Sequence, residues 1–419
     1  MSIAIDSSLE RRARRFASAR HARACLSALV VALACANPAA RPSPSVVPQG
    51  AVATAAQSPP TQDYIALVAS ESVDQIAFVR FGPSGIRVDR TNTTGVMPAD
   101  VDGPHGVSVS PDGKFYYVST AHGTPYGYLW KYSTANDSLA GRVMLGNFPA
   151  TVQLTPDGEF AYVVNFNLHG EMVPSSVSIV ATGEMIEVAR VTTCTMPHGS
   201  RINVQGTKQY SACMMDDMAV EIDTRGLGVS RYFMLTKGKE MGMEGAPAQR
   251  GAPNGSHDMG GHGMEPPKPG DVSCSPTWVQ PSADGGRIYV ACNKSSDIVE
   301  IDVARWAMTR RIPAGDGVYN LAVTRNGKLL VATNKRGKSV SVIDLATGAE
   351  SARIPTTRRV VHGVAISTDD RFAFVSQEGI GSEPGAVDVI DLQALKKVAT
   401  IDVGQQAGGI DFLRVAPSH

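Results

Sequence analysis

The sequence predicts an all-β fold, a seven-bladed β-propeller whose last blade is closed by N-terminal strands plus a C-terminal inner strand. Three observations predict it. One pattern of alternating apolar positions, a Gly/Asp/Asn turn and an aromatic-rich strand recurs seven times, at intervals of about 45 residues apart from one stretched interval. Short strands at such a period mark a ring of small sheets, because each sheet hides its two faces only between neighbours. The final copy, GGIDFLRV from Gly408, stops after one strand, whereas residues 64–91 offer three strands (YIALVAS, QIAFVRF, IRVDR) with no inner strand before them. Joining the two chain ends completes a seventh sheet and removes an open edge.

Taken in order, the chain begins with an export pattern. Arg11, Arg12, Arg14, Arg15, Arg20 and Arg23 precede a short apolar run at 24–34, too brief to span a bilayer but suited to a signal peptide over residues 1–34. Ala32-Leu33-Ala34 reads as a cleavage site, and the same stretch is similar to a lipobox ending at Cys35. Lipidated Cys35 is thus a candidate membrane tether. Residues 35–62 are Ala/Pro/Ser-rich and nearly free of large apolar side chains, a linker composition.

The propeller is expected over residues 63–417. Lys plus Arg equals Asp plus Glu at 39 each, but the first 62 residues hold seven Arg against one Asp and one Glu, which leaves the body at −5. An acidic body lacks the basic stripe that phosphates demand, so nucleic acid is excluded as a partner. The repeats open at His105 (HGVSVSPDGKFYYV), Ala150 (ATVQLTPDGEFAYV), His198 (HGSRINVQGTKQYSA), Thr277 (TWVQPSADGGRIYV), Tyr319 (YNLAVTRNGKLLV), His362 (HGVAISTDDRFAFV) and Gly408. Asp112, Asp157, Asp284, Asn326 and Asp369 share one turn position, where tight hairpins need residues that bond their own backbone or tolerate positive φ.

With VATN at 331–334 followed by VSVID at 340–344, the repeat resembles the YVTN family of β-propellers across essentially all of residues 63–415. The resemblance implies a fold and little else. At the fold level that family is similar to surface-layer proteins, lactonases and the cofactor-bearing propellers of nitrous-oxide and haem-d1 nitrite reductases. In such repeats, a His-Gly pair opening the inner strand is also read as a side chain that bonds the neighbouring blade.

Propeller geometry places the start of each inner strand and the loop between second and third strands on one face, with the SPDG-type turns on the other. His105, His198 and His362 open inner strands, His122 and His169 lie in second-to-third-strand loops, and His257 and His262 lie in an insertion between repeats. All seven map to one face. Imidazoles gathered at a channel mouth can ligate metal or exchange protons near neutral pH. Four positions into the inner strands stand Ser108, Gln153, Arg201, Gln280, Ala322, Ala365 and Asp411, a ring partly facing the channel. Arg201 and Asp411 are its charged members, candidates to hold an anionic ligand or to be satisfied structural groups.

The stretched interval contains residues 237–270, with no Val, Ile, Leu or aromatic side chain, and is expected to be a mobile loop on the His-bearing face. It carries Met241, Met243, His257, Met259, His262 and Met264, densest in HDMGGHGM. Thioethers with imidazoles suit Cu(I), so copper is the candidate cofactor; a linker without affinity is the competing reading.

Cys194, Cys213, Cys274 and Cys292 remain outside the leader. Because 194 and 274 precede inner strands while 213 and 292 end second strands, propeller geometry pairs Cys194 with Cys213 and Cys274 with Cys292; thiolate metal ligation is the alternative. Disulfides agree with a periplasmic or cell-envelope location. The functions in play are an exported binding or scaffold propeller whose His/Met-rich face captures copper, a lactonase-like or metal-dependent hydrolase with its site at the channel mouth, and a plain interaction platform. The partner is accordingly a metal ion or an envelope protein. No catalytic motif such as G-x-S-x-G, HExxH or a P-loop is present, which leaves no positive reason to prefer catalysis.

Overall fold

The computed structural model describes residues 59–95, 97, 101–122, 126–247 and 270–418. They form seven antiparallel sheets, six built in chain order from residues 104–144, 149–195, 197–244, 276–313, 318–355 and 360–403. In each, the first strand is innermost and its neighbours follow outward as a meander. The seventh sheet runs Ala407–Pro417, Gln62–Ser70, Gln75–Gly82, Gly85–Thr93, so the C-terminal strand is the innermost and pairs with the N-terminal one from Gln62↔Pro417 to Ser70↔Ala407. Inner strands touch their neighbours in ring order around the whole circle, which makes the fold a seven-bladed β-propeller.

The turn chemistry follows from the repeat. In the first repeat the Asp112 carboxylate accepts the Ser110 hydroxyl at 2.7 Å and the Lys114 amide at 3.0 Å, and Gly113 takes φ 69° between them. Asp157, Asp284 and Asn326 repeat the arrangement with Thr155, Ser282 and Thr324. Strand alternation then sends large apolar side chains into the gaps between blades. Between the third and fourth blades, for example, Tyr210, Phe233 and Leu235 pack with Val279, Ile288, Val299 and Trp306. Aromatics fill these gaps wholly: Trp130, Tyr116 and Tyr117 are buried in the first blade.

One interaction recurs around the axis. The backbone carbonyl of an inner strand's opening residue accepts a hydrogen bond from the preceding blade. Ser119 donates to Ala150, Thr151 to His198, Thr277 to Tyr319, Thr333 to His362 and Ser376 to Gly408, at 2.5 to 3.0 Å. At the third junction the donor is the His198 Nδ1–H, 3.0 Å from the Thr277 carbonyl. At the closing junction the bare backbone of Gly409 abuts the His105 carbonyl, which would lie 2.3 Å from an added Cβ.

Both disulfides form as the geometry required, Cys194–Cys213 and Cys274–Cys292, with Cα separations of 5.8 and 4.4 Å. All four sulfurs are thereby used, so the alternative of thiolate ligation falls. The insertion departs from expectation. Met241–Glu244 is not loop but a fifth, outermost strand of the third blade, pairing with Gly228–Met234. An edge strand needs only backbone partners and a close fit, not a core of its own. Gly242 supplies the fit, lying so near Trp306 that a Cβ would stand 2.4 Å from the ring, and Glu240 bonds Arg311 at 2.8 Å. Met243 packs beside Tyr232 and the Cys194–Cys213 bridge, while Met241 is exposed. At roughly 4.8 Å per strand, the backbone that carries these two residues stands on the outer rim, about 19 Å from the inner strand. They are therefore removed from the axial imidazoles. The other expected copper ligands, His257, Met259, His262 and Met264, lie outside the described residues, as do the leader and most of the tether.

Each bridge closes a short loop, 19 and 18 residues in separation. Replacing Cys274 and Cys292 together by Ser should lower unfolding stability by about 3 kcal/mol in denaturant titrations. Reduced wild-type protein should show a similar or larger loss.

Candidate functional site

Five of the seven histidines expected on one face lie among the described residues, and these five gather at one end of the channel. His105 stands at the centre of a chain of ring contacts, with centroids 6.2 Å from His198 and 5.7 Å from His362. His122 and His169 face each other at 6.2 Å, and Phe148 touches His105, His122 and His169 at 5.4 to 5.6 Å. Their chemistry is not equivalent. His198 is buried with both nitrogens engaged, Nδ1 on the Thr277 carbonyl and Nε2 accepting the Tyr319 hydroxyl at 3.2 Å. Burial holds its pKa down to about 3, so it stays neutral and serves the ring of blade-to-blade bonds. His362 is buried beside Lys335, and desolvation followed by the charges of Lys335, His105 and His198 keeps its pKa well below the usual value.

His105 and His122 differ because they share a carboxylate. Glu71 begins the 3-10 turn Glu71–Val73 between the first two N-terminal strands, and is 5% exposed. Its Oε2 lies 3.0 Å from His105 Nδ1 and its Oε1 contacts His122 Nε2. Burial pushes the carboxyl up, but the two imidazoles outweigh it and bring it down to about 2. The same hydrogen bond raises His122, against its own desolvation. Lys335 and Glu378 complete the charged set at this end, 3.3 Å apart, with the Lys335 ammonium 4.4 Å above the Tyr319 ring.

Sequence reasoning overlooked Glu71, Lys335 and Glu378. The signal was present in the register: these residues occupy one position, immediately after Ser70, Asn334 and Gln377, which pair with the openings of their inner strands. The same slot holds Ala121, Phe166, Met214 and Asn293 in the other blades. Charged residues in a turn read as solvated until the ring is aligned blade by blade.

The layer of His105, His198 and His362 nearly fills the channel. Beneath it a cavity of about 30 Å³ remains, lined also by Trp278, Asn320 and Arg201, room for roughly one water. Arg201 and Asp411, expected with the imidazoles, stand deeper and also border the opposite opening. The depth follows from their place along the inner strand, three positions after the opener. Among the described residues, no group of three or more His, Cys, Asp or Glu is placed to hold a metal ion.

No family model matches the chain, and no curated protein does either. Solved structures do. A functionally unknown protein from Desulfotomaculum acetoxidans DSM 771 is 13% identical over 84% of this chain and 99% of its own, with a TM-score of 0.61. Kuenenia stuttgartiensis hydrazine synthase is 18% identical over 76% of this chain and 93% of that one, with a TM-score of 0.56. What is shared is the fold. At such identities the likeness supports the propeller and assigns no activity.

The Glu71 contacts generate a pH signature. A lowered carboxyl stabilises above its unfolded value near 4.5 and loses that contribution as pH falls toward 2; a raised imidazole stabilises below about 6.5 and loses it as pH climbs through the folded value. Both act together between those limits. Glu71→Gln should therefore cost about 2 kcal/mol in denaturant melts at pH 5.5, the size of a charged hydrogen bond. The deficit should shrink at pH 9; an equal deficit at both pH values would contradict the pairing.

Proposed function

We propose that this chain is an exported propeller of the YVTN type that serves as a binding scaffold, engaging an envelope protein through its imidazole-bearing face. The observation that carries the reading is the company kept by Glu71, His105 and His122. In the loops at that end, Met97, Val101, Tyr126, Leu168, Met172 and Met215 are each at least 41% exposed. They come from consecutive blades around a charged centre, and exposed apolar side chains about a polar hub are the composition of a docking surface. The channel beneath is nearly filled by side chains, which fits a face that meets a partner more than one that swallows a substrate. Two disulfides support an oxidising compartment.

Copper capture is a separate proposal that now rests on His257, Met259, His262 and Met264. Its support is that the described chain on either side of them is fastened together, Lys237 N to the Val272 carbonyl at 3.0 Å and Lys239 to Asp271 at 2.6 Å. In a Cu(I) competition assay, deletion of residues 248–269 should abolish binding; unchanged affinity after deletion would remove the loop as the ligand set.

Photo-crosslinking in the native host tests the scaffold reading. A crosslinker placed at Met172 or Met215 should give one discrete adduct, and the same probe at Val204, exposed on the opposite face, should give none. Adducts of equal yield from both faces, or from neither, would overturn it.

A further inference from the structure

The opposite end of the channel holds a site that the scaffold reading does not use. All seven side chains of the ring opened by Ser108 line two adjoining recesses there, of about 300 and 660 Å³, which share Gln153, Arg201 and Asp411. These volumes match small-molecule pockets. At the narrow end stands Arg201. Among the described residues it is the one arginine that is not exposed and yet has no carboxylate within ion-pair distance.

Its neighbours explain why the guanidinium is free. Asp411 is the nearest candidate partner, but Oδ2 accepts the Val109 amide at 2.8 Å and Oδ1 the Phe412 amide at 2.8 Å. Each Asp411 oxygen is thus held by a backbone amide, and the Ser108 hydroxyl also bonds the carboxylate. Arg201 donates one N–H to the Ser200 carbonyl at 2.9 Å and sits over Trp278, its central carbon 4.3 Å from the ring centroid. The ring covers the guanidinium from one side while four of its five N–H groups have no hydrogen-bond partner, an arrangement suited to the two oxygens of a carboxylate. Gln153 adds a donor: its Oε1 accepts the Ile202 amide at 2.6 Å, which turns the NH₂ the other way.

We propose that this recess binds a small organic monocarboxylate that also carries a hydroxyl or ammonium group. The carboxylate takes the Arg201 fork and the Gln153 amide. The second group answers Asp411, whose oxygens keep further lone pairs and whose charge opposes a second anionic centre on the ligand. A phosphate, which brings more negative charge beside the Asp411 carboxylate, fits this pairing less well. The site lies at the other end of the channel from the scaffold face, so either proposal stands if the other fails.

Isothermal titration of the mature full-length chain tests the assignment with L-lactate and L-serine as probes, and acetate and inorganic phosphate for comparison. Lactate and serine should bind at least about tenfold more tightly than acetate or phosphate, since the added donor contact is worth roughly one hydrogen bond to a charge. Arg201→Gln should weaken both probes by about tenfold or more, and Arg201→Lys by less. Ala322→Leu, which fills the wider recess and leaves Arg201 in place, should also weaken both, and it carries the test if the Arg201 variants fail to fold. Absence of binding by wild-type protein, equal binding of phosphate, or unchanged affinity in folded Arg201→Gln or Ala322→Leu would overturn the proposal.

Discussion

The carbonyl that opens each inner strand is the constraint on which the rest of the structure depends. Seven short sheets have no covalent reason to form a ring, and between-blade apolar packing alone would tolerate sliding. A directional bond from Ser119, Thr151, His198, Thr277, Thr333 or Ser376 to the next blade's first carbonyl fixes both height and angle at six junctions. These bonds are buried, where an unpaired partner costs more than a paired one contributes. The ring is thereby held to one radius, and that radius sets how far side chains reach into the channel.

From that constraint follows the division among the histidines. Equivalent sequence positions carry different duties, because His198 is consumed as a junction donor whereas His105 in the same slot is left to face Glu71. The partner comes from the N-terminal strand pair, so the charged centre exists only once the seventh sheet has closed. The same closure brings Asp411 from the C-terminal strand to the opposite opening, next to Arg201 from the third blade. Each end of the channel is thus assembled from remote parts of the chain, and the imidazole layer keeps the two ends apart.

Much of this was legible beforehand. The count of sheets, the turn residues, both disulfides and the common face of His105, His122, His169, His198 and His362 follow from periodicity alone. What escaped notice has physical reasons. Glu71 is one of two acidic residues, with Asp74, in a turn that looks solvated, and its carboxylate is engaged by two imidazoles contributed by another blade. Met241–Glu244 has no Val, Ile, Leu or aromatic residue to mark a strand, because an outer edge asks for backbone pairing and, at Gly242, for the absence of a side chain. The separation of Arg201 from the imidazoles was readable from its place along the strand, three residues further down a chain segment that runs parallel to the axis.

The junction at Gly408 and Gly409 carries a consequence for how the molecule comes into being. Strand Gln62–Ser70 leaves the ribosome long before its inner neighbour Ala407–Pro417. Until those eleven residues arrive the emerging domain is an open crescent with an unpaired margin at either tip, a form prone to join its own kind. Long loop closure makes that interval slow. A protein built this way has good cause to rely on attendants while it is being made.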